Sequence, residues 1–249
     1  MSYRSFIVLP LLVCFLAINS QAQTLKNFLD NKDSSFTWLG IDFTQARLIG
    51  DAGANLDDII PRHFAGINQV VVNEPKKYDI AGAFHHNNFN SDISLVNKRN
   101  ESVNKETFKS DNTSDFTRLT NDDIIRQVKS YDFAGKKGIG IMMFVEAMNK
   151  TGKQLSAYVT FVDMGKKNVL LTERMTAKTG MGWGFRNFWA LPVSYVLNHF
   201  DSDYNKIKEK YANAQDPEEE KPVAPAAKKD TKTGVAVKEE TKKQPKKKG

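Results

Sequence analysis

The chain has 249 residues, with 36 Lys+Arg against 29 Asp+Glu, a formal net charge of +7 and a sequence pI near 9.3. Cys14 is the only cysteine, so no disulfide framework, cysteine metal site or thiol nucleophile exists beyond it. Residues 216–249 hold 10 Lys against 7 acidic residues, which leaves the rest of the chain only mildly basic.

Met1–Ala22 has the parts of a secretory signal. Arg4 gives the positive n-region, Phe6–Ile18 the apolar run, and Ser20-Gln21-Ala22 the small residues a signal peptidase reads, so cleavage is expected before Gln23. The run is shorter than the roughly 18 apolar residues of a membrane span. Val13 ahead of Cys14 and the apolar Phe15-Leu16-Ala17 after it argue against lipidation. An exported protein is expected, periplasmic or secreted, with no transmembrane span once the signal is removed. Asp216–Gly249 is a low-complexity tail of Lys, Glu, Pro, Ala and Thr without an aromatic residue, expected to be disordered. Residues 23–215 form one domain of ordinary size, enough to bury about 70 % of its unfolded surface.

Phe36–Ile49 reads as an amphipathic strand, with Leu39, Ile41 and Phe43 on one face, broken by Gly50-Asp51-Ala52-Gly53. A helix begins near Asn55 with Asp57 and Asp58 in its first turn; Pro61 restarts it to about Asn73, and Pro75 stops it. Phe89–Val96 suggests a short strand and Lys98–Phe116 a loop. Thr120 and Asp123 have capping-box spacing for a helix to about Tyr131 that carries Ile124, Ile125 and Val128 inward. Gly138–Met148 is apolar on both faces, and with Leu155–Asp163 and Asn168–Ala177 it makes a three-strand meander. Lys178–Gly184 is a glycine-rich corner into an aromatic helix starting at Phe185, kinked or restarted at Pro192, with a solvated break at Asp201–Asn205.

Short connections make the meander antiparallel. The expected fold is therefore α+β: an antiparallel sheet of the N-terminal strand plus the three-strand meander, with helices packed on one face as a two-layer sandwich.

Three fragments carry a resemblance: Asn73–Tyr78 (NEPKKY) with Val96–Asn100 (VNKRN), Tyr158–Asp163 (YVTFVD), and Gly182–Ala190 (GWGFRNFWA). The chain resembles a family of uncharacterised exported proteins of Bacteroidetes-type bacteria. The resemblance spans most of Phe36–Phe200 and implies an exported protein of an outer-membrane bacterium. It transfers no catalytic residue.

Gly180-Met181-Gly182-Trp183-Gly184 stands between strand and helix, where backbone N–H groups can hold an anion and Lys178 and Arg186 would add charge. Its spacing matches neither dinucleotide-binding nor P-loop templates, and a sharp corner needing glycine is the competing reading. The binding candidates are thus Gly182, Gly184 and Arg186 for an anion, and Phe185, Phe188 and Trp189 for a groove or partner surface. The aromatic stripe also fits ordinary core packing. Adjacent His85 and His86 point apart in an extended segment, and Asp201–Asn205 lacks the glycine and glutamate of a calcium loop, so no metal is expected. Glu146, Asp163 and Glu173 offer an acid/base pair for an envelope hydrolase, subject to strand register. No nucleophile-elbow spacing occurs and no cofactor is implied. The sequence favours a non-enzymatic binding or interaction module of the periplasm or cell envelope. Its partner would be an envelope protein, or an anionic cell-wall or lipid surface met through the basic tail, rather than nucleic acid.

Overall fold

The structure, a computed structural model, describes residues 25–213; the segment 1–22 expected to be a signal and the segment 216–249 expected to be a disordered tail lie outside the described residues. Helix α1 (Leu25–Asp30) buries Leu25, Phe28 and Leu29 and leads into strand β1 (Ser35–Asp42). The stretch read as one strand is two, because a turn in which the Ala46 N–H donates to the Phe43 carbonyl separates β1 from β2 (Arg47–Ile49). Asn55 caps the next helix, its side chain accepting from the Asp57 N–H. That helix runs through α2 (Leu56–Asp58), a π turn (Ile59–His63) and α3 (Phe64–Asn73). Helix α4 (Ile80–Ala83) and strand β3 (Asn88–Ser91) follow.

The expected strand over Phe89–Val96 ends early, since α5 (Ser94–Asn100) begins inside it. The expected loop holds α6 (Lys105–Phe108), the two-residue β4 (Lys109–Ser110) and a 3-10 turn (Thr113–Thr117). Thr120 caps α7 (Asn121–Lys129) through both bonds of the capping box; Ile124 and Val128 turn inward, whereas Ile125 stays outside. Strands β5 (Ile139–Asn149), β6 (Gln154–Asp163) and β7 (Asn168–Lys178) then form the meander, and α8 (Gly184–Lys210) closes the described chain.

The sheet overturns the expected fold class. Strand β5 pairs with β1 and then β2 along one edge, both parallel to it, and with β6 antiparallel along the other. Strands β3 and β4 extend that first side, again parallel. The fold is α/β, a seven-stranded mixed sheet whose strands before the meander all run parallel to β5, not an antiparallel sheet with one helical layer. Its two faces carry separate apolar clusters. One packs Ile141, Met143 and Val159 with residues of α3 and α8; the other packs Met142, Phe144 and Tyr158 with Val96 of α5 and Ile124 and Val128 of α7. Both faces need covering because nearly every residue of β5 and β6 is buried, the mark of a doubly covered strand. Long helical connections leave β1 and β2 free to lie parallel to β5, whereas tight turns constrain only β5–β6–β7.

The outer edge of β1 is unpaired beyond β3, and asparagine amides take the place of a strand. Asn68 Oδ1 accepts from the Ile41 N–H at 2.7 Å while its Nδ2 donates to the Ile41 carbonyl at 3.1 Å. Asn100 does the same one step on, to the Phe43 N–H and the Ile41 carbonyl. Gly40 permits this, since its φ is +100° and a Cβ there would stand 2.8 Å from Asn68 Oδ1. Asp42, at the end of β1, accepts from Thr44 and from the Tyr131 hydroxyl, and Arg99 lies over the Tyr131 ring at 4.1 Å. Burial, with the Asp42 charge beside it, pushes the Tyr131 hydroxyl far above its ordinary range.

His86 is buried at the α1 end of the core, stacked on Phe28 with ring centroids 3.9 Å apart. Neither ring nitrogen has a well-formed hydrogen bond. Burial pushes the imidazole below its ordinary range, against the smaller pull of the Lys32 and Ser34 carbonyls, with the neighbouring His85 adding to the downward shift. The unfolded chain therefore takes up a proton near pH 6.5 that the folded chain refuses. The contribution of His86 to stability is fully present above about pH 6.5 and is lost as pH falls below it. Urea melts across this range should show that slope, and His86→Phe should flatten it. An unchanged slope in the variant would contradict the assignment.

Candidate functional site

Strands β2, β5 and β7 all end at one edge of the sheet, the edge outside which α/β folds place their ligand crevices. Three connections meet there: Gly50–Asn55 after β2, Lys150–Lys153 after β5, and the glycine corner after β7. The Thr179 N–H donates to the Lys153 carbonyl at 2.8 Å, tying the last two together.

The corner is stitched to α8 by a bond that sequence reading missed. Pro192 has no N–H, so it leaves the Phe188 carbonyl four residues earlier without its helical donor. The Thr179 hydroxyl supplies one at 2.7 Å. The helix therefore does not restart at Pro192, one of the two expected outcomes there, and it continues through Asp201–Asn205, where a solvated break was expected. The signal was present in the sequence, as a proline four residues after a carbonyl with a threonine at the corner behind it, but the pairing needs the fold.

Gly180 and Gly182 face α8. A Cβ on Gly182 would come within 2.8 Å of the Phe188 backbone, and one on Gly180 within 2.9 Å of Leu191 Cδ2. The alternate residues consequently point away from the protein. Met181 and Trp183 are exposed at 101% and 94%. Gly184, at φ +76°, turns the chain into the helix.

Two open hollows, of about 410 and 370 Å³, flank this corner. The first lies among Arg62, Gly66, Trp183 and Arg186, the second among Asp51, Asn55, Lys150, Gly182 and Phe188; His63 and Phe185, with ring centroids 5.4 Å apart, line both. The π turn shapes this ridge, because its wider register brings His63 back over Asp58, with Nε2 3.0 Å from the carboxylate. Arg62 grips the same carboxylate with two nitrogens, at 2.7 and 2.6 Å, and its hydrogen bond holds the Asp58 carboxyl below the usual range. Lys150 stands 3.6 Å from Asp51 and 4.7 Å from the centre of the Phe188 ring.

The six candidates from sequence divide. Gly182, Gly184, Phe185, Arg186 and Phe188 border the hollows, whereas Trp189 is fully buried and belongs to the core. The three carboxylates do not come together. Glu146 is buried on the α7 face and accepts from the Leu119 N–H, the Ser156 hydroxyl and Arg174 Nε, at 2.6, 2.7 and 2.6 Å. Glu173 precedes Arg174 on β7, so it faces the other side of the sheet and bonds Lys210 of α8. Asp163 sits at the far end of β5–β6, opposite Ile139, and caps the following turn through the Lys166 N–H. His85 and His86 do point apart, His85 outward to Asp201 at 2.7 Å and His86 into the core. Among the described residues no three ligating side chains gather in one place, and no helix is long and apolar enough to cross a membrane.

No family model and no curated protein matches the chain. Among solved structures it has a likeness to the lipoprotein GNA1162 from Neisseria meningitidis, at 14% identity and a TM-score of 0.29, covering 66% of this chain and 94% of that one. A likeness of that size carries neither fold nor function.

Proposed function

We propose that this chain is an exported, non-enzymatic binding module of the periplasm or cell envelope that meets its partner through the corner between β7 and α8. The observation that carries the reading is the outward pair Met181 and Trp183, two large apolar side chains held in solvent by glycines packed against α8. Apolar exposure of this kind, beside open hollows, is what a contact surface presents. The carboxylates of the hydrolase alternative are separated, with Glu146 bonded to Leu119 and Arg174 and Glu173 to Lys210. The signal at Met1–Ala22 and the resemblance to exported proteins support the compartment.

A photo-crosslinking amino acid placed at Trp183 tests this in exporting cells, with Phe89 and Ile125, each 36% exposed, as comparison positions. Crosslinks to an envelope component from position 183 alone, on protein beginning at Gln23, are expected. Equal yields from all three positions, or protein that retains Met1 and stays inside the cell, would contradict the reading.

A further inference from the structure

We infer that the surface met by the corner is an anionic lipid bilayer, with Met181 and Trp183 entering the boundary between headgroups and acyl chains; this rests on the binding reading above. Size is the first observation. The apolar surface exposed at the corner amounts to two side chains, Met181 and Trp183, carried on a glycine backbone packed against α8. A stable protein partner ordinarily covers roughly 800 Å² on each side. A bilayer accepts a small tip, and tryptophan favours that depth because its ring is apolar with one polar N–H.

Charge is the second observation. Arg62 and Arg186 border the hollow beside Trp183, and Lys150 the other. Lys153 is bonded through its carbonyl to the corner, and Lys178 is the last residue of β7 before it. Two of these five cations, Lys150 and Arg62, pair with Asp51 and Asp58, which leaves a surplus of three positive charges, on Lys153, Lys178 and Arg186, around the corner. Apolar insertion with a cationic collar is the combination that selects anionic over zwitterionic lipid. The aromatics behind the tip make it firm. Phe185 and Phe188 are half-buried against the core, and Thr179 fixes the turn to α8, so the tip is held out by the fold.

The lysine-rich tail complicates a simple binding assay, since it too would attract anionic vesicles. The test therefore reads depth as well as binding. The full chain, purified from exporting cells, is mixed with vesicles of phosphatidylcholine alone or with about 30 % phosphatidylglycerol, with and without brominated acyl chains as quenchers. Trp38 and Trp189 are fully buried, which leaves Trp183 to report contact with the bilayer. Binding about tenfold stronger to the anionic vesicles is expected, with fluorescence quenched by the brominated chains. Trp183→Phe should abolish the quenching, and Met181→Ser with Trp183→Ser should weaken binding several-fold at an unchanged melting temperature. Binding without quenching, or binding indifferent to the double substitution, assigns the attraction to the tail and overturns the inference. No vesicle binding, with crosslinks from position 183 to an envelope protein, overturns the lipid surface but leaves the binding module standing. Absence of both removes the binding module as well.

Discussion

Arg174→Ala should lower stability by about 3–5 kcal/mol, the cost of leaving a buried carboxylate without its cation. Glu146 is fully buried, and Arg174 Nε is 2.6 Å from it. Arg174 is partly exposed, which places the effect toward the lower end of that range. The same guanidinium donates to the Phe116 carbonyl at 2.6 Å, and Glu146 accepts from the Leu119 N–H. The pair therefore also clamps the approach to α7 onto the sheet. Removing charge from both sides, as Glu146→Leu with Arg174→Leu, should restore most of the loss, because no uncompensated ion then remains. Urea melts of the single and double variants read both. A single variant within roughly 0.5 kcal/mol of the parent would mean that Glu146 is not held as described, and would release it for chemistry.

Much of the fold was legible in local pattern. The capping box at Thr120, the turns around the meander and the helix between Asn55 and Pro75 all follow from residues close in sequence. Strand direction was not legible for β1 and β2. Their partner on β5 lies about a hundred residues later, and nothing in a long connection states whether the strand returns parallel. The apolar character of Gly138–Met148 on both faces was visible, and it is incompatible with helices on one face only. That clue was enough to require the α7 layer.

The site was legible in composition but not in direction. The glycine corner stood out, yet which of its residues turn outward depends on how closely Gly180 and Gly182 approach α8. The same limit hid Asn68 and Asn100. Each is an ordinary helix residue in sequence, and each becomes a substitute strand only where β1 has lost its neighbour. Three residues of the Val96–Asn100 segment thereby find a structural account: Val96 fills the second apolar cluster, Arg99 covers Tyr131, and Asn100 pairs the β1 edge.

Trp189→Ala is the second large effect expected, about 3–5 kcal/mol, as for an aromatic side chain deleted from a packed core. Trp189 is fully buried, edge-on to Phe188 at 5.0 Å, in the cluster that joins α8 to β5 and β6. Its indole N–H has no partner among the described residues, so its contribution is packing rather than hydrogen bonding. Trp183, six residues earlier, is almost wholly in solvent. The fold divides this aromatic stretch into a buried half and a solvent-exposed half. Paired urea melts of Trp183→Ser and Trp189→Ala test it most directly. The structure predicts a Trp183 variant within roughly 0.5 kcal/mol of the parent and a Trp189 variant lowered by about 3–5 kcal/mol. Comparable losses in both, or a Trp189 variant as stable as the parent, would contradict it.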